Sequence, residues 1–144
     1  MARRARMSHP FDDLRPHRHL RLTTYRASGE AVPTPVWFVC HDGALYIKTG
    51  AHTGKVRRVQ RNPRVTIAPS TSRGTPRGAD LPALAEDVGQ KVPAAVHAAF
   101  LRRYGILQRI RDFLVGRRRI TPTFLKVTSA DGGSDPFHVR STSE

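Results

Sequence analysis

The stretch from Leu22 to Pro63, LTTYRASGEAVPTPVWFVCHDGALYIKTGAHTGKVRRVQRNP, decides the fold. Two turn signals divide it. Ala27-Ser28-Gly29-Glu30 has turn chemistry, with Gly29 free to take a positive φ, and His41-Asp42-Gly43 contains the Asp-Gly pair that closes tight hairpins. From Arg18 onward Leu20, Leu22 and Thr24 fall on one face and Arg21, Thr23 and Tyr25 on the other, the period of a half-buried strand. Val32 to Cys40 is apolar on both faces and reads as one strand covered on both sides; Ala44 to Thr49 reads as a third. A loop then opens a short basic helix over Lys55 to Asn62. Thr53 is placed to cap it, Val56 and Val59 share its inner face, and Pro63 ends it.

Working outward, Phe11 to Leu14 reads as a short helix after a loose basic arm. Arg64 to Pro69 reads as a fourth strand, and Ser70 to Gly78 as a basic loop punctuated by Gly and Pro. A fifth strand over Ala83 to Val88 is weakened by Glu86 and Asp87. The period then changes. Val96, Phe100, Tyr104, Leu107, Ile110 and Leu114 recur at helical spacing from Pro93 to Val115, with Gly105 expected to break or kink the segment into two short helices. Ile120 to Thr128 returns to strand alternation. Hairpins, then helices, then a closing strand predict a mainly β, α+β fold: a small antiparallel barrel with helices packed outside. The expected organisation is an arm over residues 1–17, one barrel domain over 18–128 and a polar tail over 129–144.

Lys and Arg total 25 against 11 Asp and Glu, a formal net charge of +14 over 144 residues, which calls for an anionic partner unless it is only an arginine-rich solvated surface. Hydrophobic content of 38% suits a small barrel or a dimer that completes its burial against a second copy. One cysteine, Cys40, excludes an intrachain disulfide, and the seven histidines lack metal-ligand spacing, so no metal is expected. The basic N-terminus has no apolar stretch behind it and no segment is long enough to span a bilayer, so a cytoplasmic protein without a membrane partner is expected.

Two constellations carry chemistry. Gly50 ends a strand, and Thr53-Gly54-Lys55 follows, so free backbone N–H groups, the hydroxyls of Thr49 and Thr53, and Lys55 converge at a helix start with Arg58 on the same helical face. That is the best anion site in the chain, although a solvated basic helix face would have the same sequence. Pro33 and Pro35 delete two donors on one side of their strand, beside Trp37 and Phe38. This is either an unpaired strip for a planar ring or an edge strand kept from pairing. The arginines from Arg109 to Arg119 resemble a helix-turn-helix or membrane-surface pattern, but the apolar stripe opposite them suffices to dock helices on a barrel. No nucleophile, paired carboxylates or general acid stands out; the catalytic residues are unknown, and any chemistry is expected to be a cofactor's.

LTTYRASGEAVPTPVWFV, LYIKTGAHTGKVRRVQRNPRVTIAP and the RGTPRG loop together resemble the pyridoxamine-phosphate-oxidase-like split-barrel family, and within it the branch that uses the deazaflavin coenzyme F420. The similarity spans roughly residues 18 to 80. It implies a six-stranded antiparallel split barrel that forms a homodimer, with cofactor grooves at the interface. It implies that Thr34, Pro35, Val36, Trp37 and Phe38 line the flavin-like ring, and that Thr49, Thr53, Gly54, Lys55 and Arg58 hold the phosphate. The function it implies is hydride transfer between coenzyme F420 and a small organic substrate. FMN is the alternative cofactor. A non-catalytic ligand carrier on the same barrel is a second alternative, and a nucleic-acid-binding module the least favoured.

Overall fold

Two left-handed turns start the sheet. Gly29, at φ 95°, closes β1 (His19–Tyr25) onto β2 (Ala31–Val36). Asp42 and Gly43, at φ 52° and 79°, close β3 (Phe38–His41) onto β4 (Ala44–Gly50). Both turns fall where the residue chemistry puts them. The computed structural model describes the backbone of residues 11–115 and 121–130, and the side chains of all of these except 106–115. The arm before Phe11, Arg117 to Arg119, Ile120 and the tail beyond Ala130 lie outside the described residues.

The remaining elements are a short 3-10 helix (Asp12–Leu14), α1 (Gly54–Arg61), β5 (Arg64–Ser70), β6 (Leu81–Gly89), α2 (Ala94–Val115) and β7 (Pro122–Ser129). Every strand pair is antiparallel, in the order β2-β1-β5-β6-β7-β4-β3. β2 and β3 therefore occupy opposite edges of one sheet, yet a single residue, Trp37, separates them in the chain. Consecutive Cα atoms are 3.8 Å apart. The sheet has to curl until its edges meet, with the seam spanned by the chain rather than by ladder hydrogen bonds. The fold is a split barrel.

This corrects the expectation of one strand from Val32 to Cys40, and of six strands in all: the described residues form seven. Trp37 leaves the ladder. Its indole stacks on Tyr104 of α2 at 4.7 Å and 7°, and Nε1–H donates to His19 Nε2 at 3.3 Å. The Tyr104 hydroxyl accepts from Phe38 N–H at 3.2 Å and lies 2.8 Å from the Phe38 carbonyl and 2.9 Å from that of Arg18. A hydroxyl has one proton, so it donates to one of these carbonyls at a time. The Phe38 N–H and carbonyl, just past the crossing, thus both lie within reach of the Tyr104 hydroxyl.

The barrel interior holds Leu20, Leu22, Phe38, Leu45, Ile47, Ile67 and Leu125, all fully buried, and α1 closes it by inserting Val56 and Val59. A second apolar layer lies outside, where Val96, Phe100 and Tyr104 of α2 cover Val39, Tyr46 and Phe124. α2 runs unbroken through Gly105, contrary to the expected break. β6 keeps Glu86 and Asp87 because it bulges between Asp87 and Gly89, and the Asp87 carboxylate accepts from Thr123, Gly89 N–H and Gln60. Those bonds outweigh burial and hold the Asp87 carboxyl below its ordinary range. No helix among the described residues is long and apolar enough to cross a membrane.

Candidate functional site

The chain leaving β4 turns sharply before α1. Thr53 N–H and its hydroxyl both donate to the Gly50 carbonyl, at 3.3 and 2.9 Å. The hydroxyl is therefore committed backward. Thr53 occupies the N-cap position, but its side chain makes no capping bond, against expectation. The first N–H groups of a helix have no acceptor within the helix. Here they form the positive end of α1 without side-chain neutralisation, and no acidic residue lies in the first turn.

Arg58 folds back over this end. A Cβ built on Gly54 would stand 2.8 Å from Arg58 Nη1, so the guanidinium occupies the space that a side chain at Gly54 would need. It is held there from the barrel: Nε donates to Thr24 Oγ1 at 2.6 Å, and Thr24 is a buried residue of β1. Burial first, then the charges of Arg26 and Arg61, lower the proton affinity of Arg58. An arginine remains cationic regardless. Arg26 and Arg61 therefore add positive charge near Arg58. Arg26 is paired with Glu30 at 3.2 Å. Thus Gly54, Lys55 and Arg58 share one helix end, Thr53 borders it, and Thr49 stands one residue before Gly50, opposite Thr123 on β7.

The other predicted run divides between several environments. Thr34 is half-buried opposite Leu22, Val36 is buried opposite Leu20, and Phe38 is fully buried. Pro35 is exposed on the outer face opposite Arg21, and Trp37 lies on the outer layer against Tyr104. β2 is an edge strand, and its ladder to β1 requires that Pro33 and Pro35 turn their N positions outward. The outer edge of β2 therefore lacks two donors while keeping the carbonyls. The 71–78 loop closes over this end: a Cβ on Gly74, at φ 91°, would meet Pro35 Cδ at 3.5 Å. What this run presents outward at the β2 edge is backbone and Pro35, rather than the face of Phe38.

Sequence reasoning missed Thr24, His19, Tyr104 and Arg21, which act across 18 to 66 residues of separation or on a neighbouring strand. Two cavities lie elsewhere. One of about 330 Å³ is lined by Arg15, Val39, Cys40, Ala99, Arg102 and Arg103, and one of about 610 Å³ runs along β6 and β7. Burial raises the Cys40 thiol above its ordinary range despite Arg15 and Arg103. Among the described residues no group of three or more His, Cys, Asp or Glu is placed to hold a metal ion.

Residues 11–79 match the pyridoxamine 5'-phosphate oxidase family. No curated protein matches the chain. Among solved structures, the heme storage protein HutZ of Vibrio cholerae is 18% identical, with 78% of this chain and 82% of that one covered at a TM-score of 0.58. A protein described as an F420 reductase is 16% identical, with 85% and 95% covered at 0.57. A pyridoxamine 5'-phosphate oxidase-related, FMN-binding protein of Nostoc punctiforme is 13% identical, with 78% and 71% covered at 0.52. At such identities these likenesses speak for the fold. Sequence match and fold agree: residues 11–79 match the pyridoxamine 5'-phosphate oxidase family, and the chain has the split-barrel fold of the pyridoxamine 5'-phosphate oxidase-like proteins.

Proposed function

We propose that the protein is an oxidoreductase that binds a phosphate-bearing heterocyclic cofactor, coenzyme F420 with FMN as the alternative, and transfers hydride between it and a small organic substrate. The observation that carries this reading is the Arg58 guanidinium held by Thr24 over the uncapped end of α1 at Gly54. A donor set of backbone N–H groups, an ammonium and a guanidinium suits a phosphate group. In this reading Thr49, Thr53, Gly54, Lys55 and Arg58 hold the phosphate, and Thr34 to Phe38 run beside the ring, with backbone and Pro35 as the contacting parts. Arg57, Arg61, Arg73 and Arg77 are all exposed and offer charge to the acidic tail that distinguishes coenzyme F420 from FMN.

The bound ring supplies the hydride chemistry, and the chain orients it and excludes water. A second copy of the chain completes the ring site, as the family resemblance implies. Titration of the purified protein with coenzyme F420 and with FMN, followed by fluorescence, tests the reading. Micromolar binding of at least one is expected, with Lys55→Ala weakening it about tenfold or more. Binding of neither refutes the function, and an unchanged affinity in the variant refutes the phosphate site.

A further inference from the structure

Among the described residues, Arg21 Nε is buried with no hydrogen-bond partner. A buried donor without an acceptor opposes folding, whereas a methionine of similar length would fill the same space without that penalty. Native structures rarely keep such a group without a reason. The neighbours explain why no acceptor is found within the chain. Arg21 lies on the outer face of β1, in register with Pro35 on β2 and with Ala68 on β5. Residues paired across an antiparallel ladder project to the same face. Neither a proline nor an alanine side chain offers an acceptor. His19, two residues away on that face, already accepts Trp37 Nε1–H.

Pro35, the β2 neighbour of Arg21, is exposed, so a ligand at this edge that shifts the guanidinium slightly supplies the acceptor that the ladder neighbours lack. Resting on the function proposed above, we infer that Arg21 reads the carbonyl edge of the cofactor's ring while Arg58 holds its phosphate. Spacing supports the pairing of these two arginines. Thr24, which anchors Arg58, and Arg21 are three residues apart on β1, about 10 Å at the rise of a strand. That span suits a ligand whose anionic end and carbonyl-bearing ring are joined by a sugar-alcohol chain. Thr24 faces inward and Arg21 outward, so the ligand passes around the rim at β2. Prolines at 33 and 35 suit such a passage, because the outward edge there has no N–H to leave unpaired.

The test uses FMN and riboflavin, which share a ring and differ by the phosphate, titrated against the wild type, Arg21→Met and Lys55→Ala. Arg21→Met is expected to weaken both ligands by a similar factor of about ten or more, with the protein melting at or above the wild-type temperature. Lys55→Ala is expected to weaken FMN alone. If the methionine variant fails to fold, Arg21→Lys, which retains charge but has no donor at the Nε position, takes its place with the same expectation. Unchanged affinity for both ligands overturns the assignment of Arg21, and so does a loss confined to FMN. A wild type that binds neither flavin overturns this inference, and one that also fails to bind coenzyme F420 overturns the proposed function.

Discussion

Gly54 is the residue on which the geometry of the proposed phosphate site, a cradle at the start of α1, turns. Any Cβ there meets Arg58 Nη1 at 2.8 Å, but the contact is with the far end of a flexible side chain, which can swing away. Alanine also suits the first turn of a helix better than glycine. Gly54→Ala is therefore expected to leave the melting temperature unchanged or slightly raised while lowering FMN affinity several-fold by displacing the guanidinium. Equal affinity in a thermal-shift and fluorescence comparison would show that the guanidinium's position does not matter to binding. The spacing of Lys55 and Arg58 was legible because helical period is local. The anchor on Thr24, 34 residues away, was not, because no periodicity encodes a contact between a helix and a distant strand. Thr53 misled for a related reason: a threonine before a helix can cap forward or bond backward, and the turn at Gly50 decides which.

Elements were legible where a residue demands one backbone conformation, and less so where packing decides. Gly29 and the Asp42-Gly43 pair located both hairpins because they alone tolerate positive φ there. The break at Trp37 was hidden inside an unbroken apolar run, since alternation reports faces and is silent on which partner each half of a run chooses. Gly105 misled in the opposite sense. One glycine costs a helix about 1 kcal/mol, and the buried Val96, Phe100 and Tyr104 outweigh it. The Trp37–His19 bond makes the seam between β2 and β3 sensitive to pH. His19 Nε2 accepts a hydrogen bond, so that nitrogen is unprotonated, and burial, then the Arg18 charge, place its pKa below the ordinary 6.5. A histidine lowered in the folded state contributes stability that is complete above its unfolded value. That contribution is lost as pH falls from about 6.5 toward the lower folded value. Urea unfolding at a series of pH values from 7.5 downward is expected to show this loss in the wild type, and a shallower pH dependence in His19→Gln. Identical pH dependence of the two would remove His19 from the seam's titration.

At the scale of the whole molecule, a sheet whose two edges belong to chain neighbours can only curl, and that single constraint joins the cradle to the β2 edge. α1 closes the interior with Val56 and Val59, which puts its positive end at the rim beside β1, while β1 carries β2 in register along its other side. The net charge of +14 is consistent with an anionic ligand but does not locate one; the proposed phosphate site rests on Arg58, held by Thr24 beside Gly54. Architecture was readable from the hairpin-helix-strand order, whereas the number of strands and the path across the seam depended on tertiary contacts. The most direct measurement is a crystal structure of the protein with coenzyme F420 or FMN, whichever binds more tightly. The account predicts phosphate oxygens within about 2.7–3.2 Å of the Gly54 and Lys55 backbone nitrogens or the Arg58 guanidinium. A phosphate bound elsewhere, with the mouth of α1 left to solvent, would contradict it.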